Sequence, residues 1–116
     1  MIPIKERCYA FSIAIIKFLR STEWDKLNMV LVYQLMRSAT SIGANITEAP
    51  ASSSRTEYRR YFEIALKSCN ESIYWLNLIR DSNGLHNHKG LLALITECQE
   101  IAKMLGASVK KLKGIS

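Results

Sequence analysis

Residues 31–50, LVYQLMRSATSIGANITEAP, and residues 54–71, SRTEYRRYFEIALKSCNE, are two helical patterns meeting at one Ser-rich corner. In the first, Leu31, Val32, Leu35, Ala39, Ile42 and Ile46 recur at spacings of three and four, the period of a helix buried along one face. Its middle, Ser38 to Ala44, has almost no side-chain bulk, and Gly43 costs about 1 kcal/mol against Ala in a helix interior. Close approach of a neighbouring helix is the expected offset. Pro50 ends the pattern, because it lacks an N–H and restricts Ala49 before it. Ser54-Arg55-Thr56-Glu57 has capping-box spacing, so the next helix starts there, with Ser54 accepting from the backbone and Glu57 reaching back.

Outward from this corner the rest of the chain is also helical. Ile4, Cys8, Phe11, Ile15 and Phe18 share one face of a first helix, from about Pro3 to Arg20. Ser21 to Lys26 turns the chain into a second helix, about 27–49. A third runs over about 55–81 and stops at Ser82-Asn83-Gly84, where Gly84 suits a left-handed cap. A fourth, about 88–112, carries Leu91, Leu92, Ile95, Cys98, Ala102, Leu105, Val109 and Leu112. No strand pattern, repeat or low-complexity segment appears. Short loops between long amphipathic helices make neighbours antiparallel, so the expected fold is all-α, a single up-down-up-down four-helix bundle over residues 1–116.

The string Ser41-Ile42-x-x-Asn45-Ile46-x-Glu48, followed by Ser54-x-x-Glu57-Tyr58-x-x-Tyr61-Phe62-x-Ile64-Ala65-x-x-Ser68-x-x-Glu71, resembles a family of bacterial four-helix-bundle proteins. Its founding members are encoded in intervening sequences of large-subunit ribosomal RNA genes, and the family is also called the S23 ribosomal protein family. The accessory variability proteins of diversity-generating retroelements look related. Glu100 to Leu105 resembles the family's last helix, so the likeness covers nearly the whole chain. This chain departs from the pattern at Ala49, Ser52 and Lys67, where the family commonly has Gly, Arg and Gly. The resemblance implies an up-down bundle in a homo-oligomer, commonly a pentamer, and no established enzyme activity.

Composition agrees with the helices and bounds the function. One domain of 116 residues, 48% hydrophobic with two prolines and five glycines, suits long helices and a core of its own. Sixteen basic against ten acidic residues give a net charge of +6 and favour anionic partners. Cys8, Cys69 and Cys98 are odd in number, form no C-x-x-C pair and fall on apolar stripes. They read as buried reduced thiols and predict a cytoplasmic protein. Lys5-Glu6-Arg7 before Cys8 to Ile16 imitates a signal peptide, but Lys17 interrupts the apolar run and the helical pattern continues through Phe18-Leu19. No stretch approaches the roughly 18 uncharged apolar residues of a membrane span, so no membrane is expected as partner.

The third helix has more apolar surface than one core needs. Tyr58, Phe62, Ala65, Cys69, Ile73, Leu76 and Ile79 form one stripe, and Tyr61, Ile64, Trp75 and Leu78 continue onto an adjoining face. That second face is the expected oligomer interface, against the simpler account in which Tyr61 and Trp75 lie flat over the bundle's shoulder. Ser41, Asn45 and Glu48, with Ser68 and Glu71, share faces with apolar neighbours. They are expected to form a structural polar network fixing helix register, with Arg37 as countercharge. Carboxylate chemistry on Glu48 and Glu71 is the alternative, but a di-iron site needs Glu-x-x-His, and His86 and His88 fall at another corner.

No other catalytic, cofactor-binding or metal-ligating pattern stands out. His86-Asn87-His88 spells a nuclease family's name but occupies a loop between helices, and no phosphate loop, zinc spacing or nucleophile elbow is present. Up-down connectivity places Lys5, Arg7, Arg55, Arg59, Arg60, Lys110, Lys111 and Lys113 at one end of the bundle. The lysines there complement a helix C-terminus, whereas Arg55, Arg59 and Arg60 crowd a helix N-terminus, where positive charge is unfavourable. Glu57 and Glu63 offset part of it. The expected function is a non-enzymatic homo-oligomer binding RNA or DNA through this end, as an adaptor for a nucleic-acid enzyme or partner protein. The alternative is an interaction or structural oligomer whose basicity is incidental.

Overall fold

The computed structural model describes residues 2–114. The chain folds into α1 (Ile4–Arg20), α2 (Lys26–Glu48), a short 3-10 turn (Ala49–Ala51), α3 (Arg55–Ser82) and α4 (Lys89–Leu112). Each bound lies within a residue or two of the sequence expectation. A 28-residue helix is about 42 Å long at 1.5 Å per residue, and α3 accounts for the 44 Å long axis of the molecule. Each helix packs on its neighbours in sequence, and α1 closes the ring onto α4. The diagonal pairs stay apart among the described residues. This is the up-down-up-down bundle.

Local chemistry sets the helix ends. Asp25 caps α2 by accepting from the Asn28 N–H at 2.8 Å, and Ser54 caps α3 through the Glu57 N–H at 3.1 Å. The reciprocal arm of the expected capping box is absent, because Glu57 Oε2 instead accepts from Ser53 Oγ. Pro50 sits in the 3-10 turn that follows α2. Gly84 takes φ +65°, and the Leu85 N–H reaches back to the Arg80 carbonyl, the closing bond of a left-handed helix cap. His88 caps α4 with Nδ1, which accepts from the Leu91 N–H at 3.0 Å. Its ring meets Phe18 edge to face, and Phe18 meets Trp24 likewise, so aromatic rings close this end of the core.

The core follows the helical stripes. Cys8, Phe11 and Ile15 of α1 meet Leu35, Ala39 and Ile42 of α2, Ala65, Cys69, Leu76 and Ile79 of α3, and Leu91, Cys98, Ile101 and Leu105 of α4. One expectation fails on α4: Leu92 is exposed, and Leu94 and Ile101 are buried instead. The true stripe steps Leu91, Leu94/Ile95, Cys98, Ile101, Leu105, and Leu92 lies about 100° round from Leu91. Gly43 faces α1 as expected, but a Cβ there would sit 3.5 Å from Cys8 Cβ, ordinary van der Waals contact. The approach is close without excluding a methyl group.

Candidate nucleic-acid interface

The start of α3 meets the end of α4, where Arg55 touches the last turn of α4. Its Nε donates to the Leu112 carbonyl at 3.3 Å and a terminal nitrogen to the Lys111 carbonyl at 3.4 Å. These are among the last carbonyls of α4, and that of Lys111 also accepts from the Gly114 N–H at 3.0 Å, so Arg55 adds a cap to α4 from outside. This is the structural account that the sequence did not supply for an arginine at a helix N-terminus. Arg55, Tyr58 and Phe62 face Ser108, Lys111 and Leu112 across a cleft of about 370 Å³ between α3 and α4.

The other cations divide into committed and uncommitted groups. Arg7 is not a rim residue. It makes a two-pronged pair with Glu97 of α4, both bonds 2.8 Å, with Met104 Sδ at 3.3 Å. That geometry raises the guanidinium's affinity for its proton, chiefly through the Glu97 hydrogen bonds. Arg59 is partly held by Glu63 at 3.7 Å, and its Nε is buried without a hydrogen bond. Lys113 shares Glu63 at 3.5 Å. Lys5, Arg60, Lys110 and Lys111 are exposed and make no ion pair with another described residue.

Lys5 stands apart from the rest. It borders a groove of about 790 Å³ between α1 and α2 that Glu6 and Glu48 also line. On α3 and α4 the exposed cations of this end that make no ion pair with another described residue are Arg60, which shares a small pocket with Glu57, and Lys110 and Lys111.

The polar network between α2 and α3 is real but differs in membership. Ser68 Oγ donates to Ser41 Oγ at 3.1 Å, and Asn45 Nδ2 donates to the Ser41 carbonyl and hydroxyl at 2.8 and 3.0 Å. A second, deeper link joins Ser38 and Ser72, hydroxyl to hydroxyl at 2.8 Å, with both side chains buried. Neither Ser38 nor Ser72 stood out in the sequence, because a serine on an apolar stripe reads as a neutral filler. Glu48 is not a member: it is exposed and hydrogen-bonds no other described residue through its side chain. Three positions on from Asn45, it lies about 60° further round the helix, away from α3. Arg37 and Glu71 do meet, at 3.5 Å, on the partly exposed rim of this seam, and Glu71 also accepts from Trp75 Nε1 at 3.3 Å.

The second apolar face of α3 is largely used within the subunit. Tyr61 and Trp75 are half-buried against the core, and Leu78 is half-buried as well. Ile64, at 37%, is the exposed member of the four. Trp75 is pinned by Glu71 and packs edge to face on Tyr74. The larger exposed apolar side chains lie elsewhere, with Tyr9 70% exposed on α1 and Tyr33 65% exposed on α2. The α3 stripe is wide because it covers two seams of its own bundle.

Three thiols from three helices lie in the core. The Cys98 thiol donates to the Cys69 carbonyl at 3.5 Å, and Cys8, Cys69 and Cys98 are all free and buried. Burial pushes the Cys8 thiol up to about 12, with the nearby Cys69 adding to it. The hydrogen bond with Cys98, then burial, raises Cys69 strongly. Such thiols are poor nucleophiles. Among the described residues no group of three or more His, Cys, Asp or Glu side chains could hold a metal ion. His86 lies 3.6 Å from Asp81, whose carboxyl Arg80 holds below the usual carboxylate range, while His88 serves its helix cap. The two imidazoles have separate structural roles.

Fold and site together define an up-down four-helix bundle with a cationic end. The chain belongs to the 23S rRNA-intervening sequence protein family, whose model matches residues 2–107. Among solved structures it is similar to a protein of unknown function from the S23 ribosomal protein family of Bacteroides thetaiotaomicron. The two are 30% identical with a TM-score of 0.81, over 93% of this chain and 99% of that one. None of the curated proteins matches. No helix among the described residues is long and apolar enough to cross a membrane.

Proposed function

We propose that the protein is a non-enzymatic, self-associating bundle that holds RNA or DNA by its phosphate backbone at the α3–α4 end, as an adaptor in the cytoplasm. One observation carries this reading: Arg60, Lys110 and Lys111 are exposed at that end and none has an acidic partner among the described residues. Exposed cations without an acidic partner attract polyanions without reading bases. Tyr58 and Phe62 stack on one another at 5.0 Å, with Phe62 in the core, so base stacking contributes little. Self-association, with five copies as the number implied by resemblance, would repeat the cationic end around one assembly. A second reading, a structural or protein-interaction oligomer, draws on the exposed Tyr9 and Tyr33.

Charge reversal separates the two. Arg60→Glu, Lys110→Glu and Lys111→Glu together abolish the gel shift of RNA or duplex DNA at low salt, while helicity and assembly size stay as in wild type. Lys26→Glu with Lys89→Glu, at the opposite end, leaves binding near wild type. Equal loss from both sets would mean that net charge alone is sensed, and absence of any shift by the wild type leaves the interaction reading.

A further inference from the structure

The groove between α1 and α4 has the dimensions of a small-molecule site, and the nucleic-acid reading makes no use of it. Its volume is about 600 Å³, within the roughly 300–1,000 Å³ of such sites. Ala10 and Ala14 on α1 and Gly90 and Ala93 on α4 leave the space open, while Phe11 and Phe18 line it from the core. The Phe18 and His88 rings meet edge to face at 5.3 Å, so one end of the groove is aromatic. Gly90 keeps that end clear, because a Cβ there would sit 3.1 Å from His88 Cε1.

The polar groups around the groove select a charge. Lys17 lines it, is exposed and makes no ion pair with another described residue. His88 accepts the Leu91 N–H at Nδ1, so the neutral ring carries its proton on Nε2, and that N–H donates to no other described residue. Glu97 is the carboxylate on the groove wall, and Arg7 already holds it with two bonds of 2.8 Å. Ser21 spends its proton on the Phe18 carbonyl at 2.7 Å. What is left unanswered is a cation and a donor beside an apolar floor. A cationic ligand would meet Lys17 and find no free acid, and a neutral one would leave Lys17 without a partner. We infer that this groove binds a small monocarboxylate with a compact aromatic body. Its carboxylate pairs with Lys17 and accepts from His88 Nε2, and its ring lies over Ala14 toward Phe18. The site is built within one subunit, so it goes beyond the reading above and depends neither on nucleic acid nor on the number of copies.

The test titrates isotope-labelled protein with phenylacetate and follows the backbone amides by NMR, without nucleic acid. Saturable shifts are expected at Ala14, Lys17, His88 and Gly90. Phenylacetamide, which keeps the shape and loses the charge, should bind about tenfold or more weakly, and phenethylamine should not bind. Lys17→Gln should weaken phenylacetate by about tenfold or more. His88→Asn keeps a side-chain cap for α4 but removes the Nε2 donor, and should weaken it severalfold. Ala10→Trp, at an exposed position, fills the groove and should abolish binding, with helicity unchanged in all three variants. Shifts that never saturate, equal affinity for the amide, or Lys17→Gln binding like wild type overturns the proposal. So do shifts confined to Arg60, Lys110 and Lys111, because the carboxylate would then be following net charge. No shift at all, as when a neighbouring subunit already fills the groove, overturns it too. If a substitution unfolds the bundle, the comparison of acid with amide on wild-type protein still decides.

Discussion

At the residue scale, the hydroxyl pair between α2 and α3 is the most exacting feature of the core. Ser38 and Ser72 are buried and joined hydroxyl to hydroxyl. Each has one proton, so with Ser72 donating to the Ser68 carbonyl at 2.8 Å it is Ser38 that donates to Ser72, the Leu35 carbonyl at 3.3 Å being its alternative acceptor. Removing one hydroxyl leaves the other short of a partner, so Ser72→Ala should destabilise by about 1–2 kcal/mol. The Ser38→Ala/Ser72→Ala double variant should cost clearly less than the two singles together, because two apolar groups need nothing from each other. Urea unfolding of the four proteins measures the coupling. The buried thiols give a second prediction. A thiol titrates near 8.5 in an unfolded chain, whereas Cys8 is pushed up to about 12 and Cys69 is also raised. Folding therefore favours the protonated form. That contribution is intact below about pH 8.5 and is lost as pH rises toward the folded values. Thermal melts should fall more steeply between about pH 8 and 10 for wild type than for Cys8→Ala with Cys69→Ala, which isolates the thiols from tyrosine and lysine titration.

At the element scale, α1 is the loosely seated helix. Grooves run along both of its flanks, and its main polar tie is Arg7 to Glu97. Gly43 of α2 faces it with room for a methyl group 3.5 Å from Cys8. Gly43→Ala should therefore raise stability by up to about 1 kcal/mol, the helix-propensity difference, without moving α1. A higher urea midpoint with an unchanged slope is the expected result, and a lower midpoint would mean that the seam cannot absorb the added carbon. The helices themselves were legible because a long apolar stripe bounded by Pro50, Ser54 and Gly84 admits few readings. Leu92 was misplaced because the buried arc of α4 extends from Leu91 to the side of Leu94 and Ile95, and Leu92 falls just outside it. The α3 face of Tyr61, Trp75 and Leu78 is half-buried within its own subunit. Sequence shows that a stripe is wide, but only packing shows that its width covers two seams of one bundle.

At the scale of the whole molecule, connectivity predicts eight basic residues at one end, and the Arg55–α4 contact brings the start of α3 to the end of α4. What spacing could not show is how that charge is partly spent. Arg7 answers Glu97 ninety residues away, Arg55 answers backbone carbonyls of α4, and Glu63 is shared by Arg59 and Lys113. Cross-helix pairs of this kind leave no local pattern. What remains without an ion pair at this end is Arg60 on α3 and Lys110 and Lys111 on α4, and the proposed function rests on them. The most direct measurement is the salt dependence of duplex-DNA affinity for wild type and for Arg60→Ala, Lys110→Ala and Lys111→Ala in turn. If each side chain contacts a phosphate, the slope of log affinity against log salt should become shallower by about 0.9 for each one removed. A slope that stays the same in all three variants, or a wild-type protein with no measurable affinity at low salt, would contradict a phosphate-binding end.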